Sequence, residues 1–125
     1  MISLFLISCN STKENENLKM PEKLLGVILQ YTYSEGNEYA VKFEAEGVSY
    51  QYRSGRSPEV WFGKFPYNHM ITESNEHFVS WHEADKGDYV TLLINFDTNT
   101  LYGSAILSAK KVHFQKAEIS KITKP

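Results

Sequence analysis

A glutamate follows two apolar residues on one side of an extended segment. In Phe78-Val-Ser-Trp-His-Glu83, the alternate positions Val79, Trp81 and Glu83 share a face if the segment is a strand. Turned inward, that face buries Glu83 beside aromatic rings, which raises its pKa and equips it as a general acid or base. Tyr31-Thr32-Tyr33 places two phenols on one face, two residues apart. Paired phenols can hold a carboxylate or carbonyl oxygen by hydrogen bonds. Tyr50 and Tyr52 repeat the spacing further along. The ligand-contacting candidates are therefore Tyr31, Tyr33, Tyr50, Tyr52, Trp81 and Glu83, with Glu83 the catalytic candidate if a reaction is catalysed.

Each feature has a plainer alternative. Tyr31 and Tyr33 can be ordinary core residues, and Glu83 can pair with a lysine or arginine at a domain's edge. His69, His77, His82 and His113 lack metal-ligand spacing, and His77 and His82 fall on opposite strand faces. No metal and no cofactor is expected.

The elements that would position these residues are strands. From Leu24 onward the apolar period is two. Leu25, Val27, Leu29, Tyr31 and Tyr33 form one face, Tyr39, Val41 and Phe43 a second, and Val48, Tyr50 and Tyr52 a third. Residues 60–65 and 67–72 are further strands, separated near Pro66. Phe78 to Glu83 is followed by Val90, Leu92, Ile94 and Phe96, then by Leu101, Gly103, Ala105 and Leu107. Segments 111–114 and 117–122 close the chain. Turn signals recur about every ten residues and no long amphipathic helix fits, which points to an all-β domain. About eight sequential strands joined by short hairpins predict an antiparallel up-and-down β-barrel, calycin or lipocalin in type. Such a barrel has room for packed side chains or for one small ligand.

Two resemblances accompany this pattern. Tyr31-Thr-Tyr33 after an apolar strand, then Tyr50-x-Tyr-x-Ser-Gly55, then Ser80-Trp81-x-Glu83, resembles the calycin-fold phenolic acid decarboxylases from Leu24 to about Leu107. That resemblance implies that Tyr31 and Tyr33 orient a substrate carboxylate and that Glu83 transfers the proton. The family's arginine has no counterpart here, because Val60 precedes Trp61, and Arg53 and Arg56 stand elsewhere. The family's Pro-Thr-Gly segment is replaced by Ala84-Asp-Lys-Gly87, and its C-terminal region is longer. Phe78-Val-Ser-Trp-His-Glu-Ala-Asp-Lys-Gly-Asp-Tyr-Val-Thr91, Asn95-Phe-Asp and Leu101-Tyr-Gly-Ser104 are similar to the MoaF-like calycin domains. These carry the same Trp-x-Glu strand and no generally established reaction.

The N-terminus reads differently. Residues 2–8 are mostly apolar, too few to span a bilayer as a helix, and they end at Cys9. Leu6-Ile7-Ser8-Cys9 resembles a bacterial lipobox, which implies acylation at Cys9. The expected organisation is a truncated signal-peptide-like segment (1–8), a lipidated cysteine with a flexible polar tether (9–20) and a barrel domain (21–125). The alternative is an unanchored cytoplasmic protein with an incidental thiol.

Composition excludes other classes. A single cysteine rules out internal disulfides and multi-cysteine metal sites. A formal net charge of −2, with no basic stripe, argues against a nucleic-acid binder. The 14% aromatic content is too high for a disordered chain. The first expectation is an envelope-anchored, MoaF-like barrel, monomeric or dimeric, that binds a small apolar or aromatic molecule without a known reaction. The second is a non-oxidative decarboxylase of a phenolic-type acid using Glu83. The third is a structural or protein-interaction lipoprotein with a filled barrel.

Overall fold

A computed structural model describes residues 24–55 and 58–125, so the signal-like segment, Cys9 and the tether lie outside the described residues. Nine strands follow one another: β1 (Ile28–Tyr33), β2 (Glu38–Glu44), β3 (Gly47–Tyr52), β4 (Trp61–Phe65), β5 (Tyr67–Ile71), β6 (His77–Glu83), β7 (Asp88–Asn95), β8 (Thr100–Leu107) and β9 (Lys111–Thr123). They form one sheet in the order β4-β3-β2-β1-β9-β8-β7-β6-β5. The all-β antiparallel barrel expected from the sequence is thus the observed fold. The last strand pairs with the first, so the meander closes on itself.

The strand count has a geometric explanation. All hydrogen-bonded neighbours are antiparallel. Followed around the sheet, this alternation makes β4 and β5 run in the same direction, and only Pro66 lies between them. The two behave as one strand that exchanges partner β3 for partner β6 at the proline. Proline has no N–H to give to a ladder, so it suits a point where pairing changes sides. The barrel therefore closes there through the covalent chain, and the nine segments fill eight places.

Alternation decides what faces inward. β1 buries Leu29, Tyr31 and Tyr33, and β6 buries His77, Val79, Trp81 and Glu83. On β9 the alternation slips: Gln30 pairs with Lys121 but Tyr31 pairs with Ile119, leaving Ser120 as a bulge. Residues 111–123 are one continuous strand where the apolar pattern suggested two, because β8 pairs with it without interruption from Lys111 to Glu118.

The interior has two halves. Leu24, Val27, Leu29, Val41, Phe43, Val48, Val79, Leu92, Ile94 and Leu101 are essentially inaccessible and pack one end. The tyrosines gather at the other. Aliphatic side chains need only close packing, whereas each phenol brings a hydroxyl that must meet a polar group or water. This separation is what leaves one end of the barrel able to hold something.

Candidate functional site

The site lies where the chain finishes its strands in one direction and begins them in the other. The ends of β1, β3, β6 and β8 supply Tyr31, Tyr33, Tyr50, Tyr52, Trp81, Glu83, Ala105 and Leu107, and the starts of β2, β7 and β9 supply Tyr39, Asp88, Val90 and His113. Together they line a cavity of about 100 Å³. For scale, an apolar cavity of ~150 Å³ holds benzene. All six ligand-contacting candidates named from the sequence line this one cavity.

The aromatic walls meet at steep angles. Tyr31 and Tyr33 lie edge to face at 87°, with ring centres 5.5 Å apart, and Tyr50 meets Tyr52 at 88° and 5.7 Å. Tyr39 stacks on Tyr31 and turns its plane 78° from Tyr33. Tyr39 and Tyr52, opposite each other in the β2–β3 register, have ring centres 5.3 Å apart. Tyr33 is seated by Gly103 on β8: a Cβ there would collide with the phenol oxygen and ring. The glycine is needed for that close approach.

Glu83 is 2% exposed. Its Oε2 accepts a hydrogen bond from Trp81 Nε1 at 2.9 Å, while its Oε1 is buried without a partner. Burial pushes its pKa up, and the negative charge of Asp88, its register partner across the β6–β7 hairpin, adds to the rise. The Trp81 indole, the Tyr50 phenol and, more weakly, the Lys86 ammonium oppose it without cancelling it. Lys86, in the turn between β6 and β7, donates to the Tyr50 hydroxyl at 2.8 Å and lies 4.5 Å from the centre of the Phe62 ring.

Burial holds the phenols of Tyr31, Tyr33 and Tyr50 well above the usual range, reinforced by neighbouring phenols and, for Tyr50, by Glu83. These three walls are therefore neutral and keep their hydroxyl protons at neutral pH. His113 Nε2 is buried without a partner, and its ring centre lies 4.6 Å from that of Tyr33.

Among the described residues no arginine lines the cavity. Arg53 Nη1 donates to Gln51 Oε1 at 3.0 Å, and Arg56 lies outside the described residues. No cluster of three or more potential metal-ligating side chains occurs among the described residues. His69 and His77 meet at 2.9 Å next to Phe96, at the start of β6, whereas Glu83 ends that strand.

Tyr39, Asp88, Lys86 and His113 were not among the residues singled out from the sequence as ligand contacts. Tyr39 shares the period-two face with Val41 and Phe43, and that signal could have placed it. Asp88 follows from the hairpin, since the four residues 84–87 set it opposite Glu83. Nothing local to the sequence points Lys86 or His113 at the site.

No family model matches the chain, and no curated protein matches it. Sixteen solved chains are similar in fold. One is a provisionally named beta-lactamase from Burkholderia vietnamiensis, with a TM-score of 0.67, 16% identity and coverage of 82% of this chain and 97% of that one. At that identity the likeness establishes the barrel and leaves its contents open.

Proposed function

We propose that this chain is a calycin-type binding protein whose aromatic end holds a small apolar or aromatic molecule bearing one polar group. One observation carries the reading: a buried carboxylate oxygen without a hydrogen-bond partner lines a cavity walled by five tyrosines and a tryptophan. A buried acceptor left unpaired costs about 1–3 kcal/mol, and more when charged. A ligand that donates to Glu83 Oε1 recovers that cost while its apolar body packs on the rings. The shape is that of a ligand site, apolar with a few convergent polar groups.

In this reading Tyr31, Tyr33, Tyr39, Tyr50 and Tyr52 form the walls, Trp81 orients Glu83, and Glu83 selects for a donor. The similarity of the Trp-x-Glu strand to MoaF-like domains belongs to the same proposal, as does anchoring to a bacterial envelope membrane through Cys9. The test is an NMR titration with phenol and tert-butanol, following the Trp81 indole N–H. Saturable shifts at Trp81 and the cavity tyrosines are expected. Shifts confined to the outer surface, or none, would leave the filled-barrel reading in place.

A further inference from the structure

The charges around the cavity are unbalanced. Glu83 and Asp88 both line it. Among the described residues neither carboxylate has a lysine, arginine or histidine nitrogen within ion-pair distance. Asp88 Oδ1 is occupied by the backbone N–H of Ser108 at 2.6 Å. The nearby ammonium of Lys86 is turned to Tyr50 and Phe62. With Glu83 and Asp88 ionised, the group of Glu83, Asp88 and Lys86 carries a net charge of about −1.

The walls suit a cation. Aromatic rings present a negative face, and several rings set steeply to one another enclose an ammonium group from several sides. The pairs Tyr31–Tyr33, Tyr33–Tyr39 and Tyr50–Tyr52 are set in this way. Lys86 already uses the rim like this, with Nζ 4.5 Å from the Phe62 ring centre and 5.4 Å from that of Tyr50. Glu83 Oε1, unpartnered and nine-tenths buried or more, adds a directional acceptor inside the cage. An anionic ligand would face two carboxylates and no guanidinium among the lining residues.

We infer that the cavity takes a small primary or alkylated amine in its protonated form, its ammonium set against Glu83 Oε1 and enclosed by the tyrosines. This rests on the ligand-binding reading above and gives the class of its ligand. Ion pairing to a desolvated carboxylate together with ring contact supplies the selectivity over a neutral molecule of equal shape.

The experiment compares three probes of one shape on the full chain: tert-butylammonium, tert-butanol and pivalate. Binding is followed at the Trp81 indole N–H, assigned with Trp61→Phe. The ammonium is expected to bind at least about tenfold more tightly than the alcohol, and pivalate most weakly. Glu83→Gln should remove the preference for the ammonium, since its oxygen can still accept from Trp81 while an uncharged amide NH2 replaces the anionic acceptor in the cavity. Asp88→Asn retains an acceptor for Ser108 and should reduce the preference partly. Equal affinities, a preference for pivalate, or an undiminished preference in Glu83→Gln would overturn the amine assignment alone. Silence from all three probes and from phenol would overturn the ligand-binding reading with it. If Glu83→Gln fails to fold, the wild-type ranking and Asp88→Asn decide.

Discussion

Trp81 Nε1 donates to Glu83 Oε2 across 2.9 Å, from two positions earlier on the same inward face of β6. The indole satisfies one carboxylate oxygen and fixes the plane of the group. The second oxygen lines the cavity without a protein hydrogen bond of ordinary geometry, and the nearby Tyr50 phenol acts on the carboxyl only strongly enough to moderate its raised pKa. A tryptophan is suited to this because its N–H can only donate.

Glu83→Gln should change how stability depends on pH. The folded Glu83 has a pKa raised above the ordinary 4.5. Between that value and the raised one the folded state holds more protons than the unfolded state, so stability falls as pH rises. The contribution of the neutral carboxyl is fully present below about pH 4.5 and is lost as pH climbs through the folded pKa. Urea midpoints measured from pH 4 to 8 should show wild type losing stability relative to Glu83→Gln with rising pH. Parallel curves would mean that the buried carboxyl is not perturbed.

Lys86→Met should move that window to higher pH. The ammonium is one of the influences that hold the Glu83 pKa down. Removing a positive charge favours the neutral carboxyl. NMR titration of the Glu83 side-chain carbon would read the shift. A shift to lower pH would contradict the placement of Lys86 near the site.

Gly103→Ala should destabilise through Tyr33. The added methyl falls on the phenol. Overpacking of this kind costs about 1–3 kcal/mol. Tyr33→Phe removes the nearest of the clashing atoms, so the double variant should recover part of the loss. A cycle of denaturation midpoints with no coupling between the two positions would show that Tyr33 has left that seat at no cost.

Truncation at the two ends of the barrel should differ in magnitude. Leu92 is wholly buried in the core, and Leu92→Ala should cost about 2–5 kcal/mol. Tyr39 is partly buried at the cavity, and Tyr39→Phe, which keeps the ring, should cost less than about 1 kcal/mol. Equal losses in chemical denaturation would argue that the tyrosine end is packed as tightly as the aliphatic end.

Metabolic labelling with a palmitate analogue tests the proposed anchor at Cys9. The wild-type chain should take the label and Cys9→Ala should not. Equal labelling of both would place the lipid elsewhere or exclude it.

The fold class was legible because period-two alternation and turn residues are local signals. Val90, Leu92, Ile94 and Phe96 declare an inward face without knowledge of any partner strand. The candidate tyrosines, Trp81 and Glu83 were legible for the same reason, since each sits on such a face. The break near Pro66 was legible too, but the change of partner across it was not. Whether residues on either side of Pro66 count as one strand or two depends on β3 and β6, which lie on opposite sides of it in the sheet. The bulge at Ser120 depends likewise on β1.

The sequence by itself grouped most residues of each strand onto one face, because side-chain direction in a strand follows from position; Leu25, grouped with Val27 and Leu29, instead lies in the turn before β1 and is 52% exposed. It also put Glu83 and Trp81 on one face of β6, and the structure made that face the buried one. Only the tertiary structure decided that the barrel is packed at one end and hollow at the other. That division depends on strand stagger and on distant neighbours: Gly103 making room for Tyr33, Lys86 turned to Tyr50, and Asp88 set opposite Glu83 without a cation. Packing and charge balance are sums over residues far apart in the chain, and no local pattern carries them.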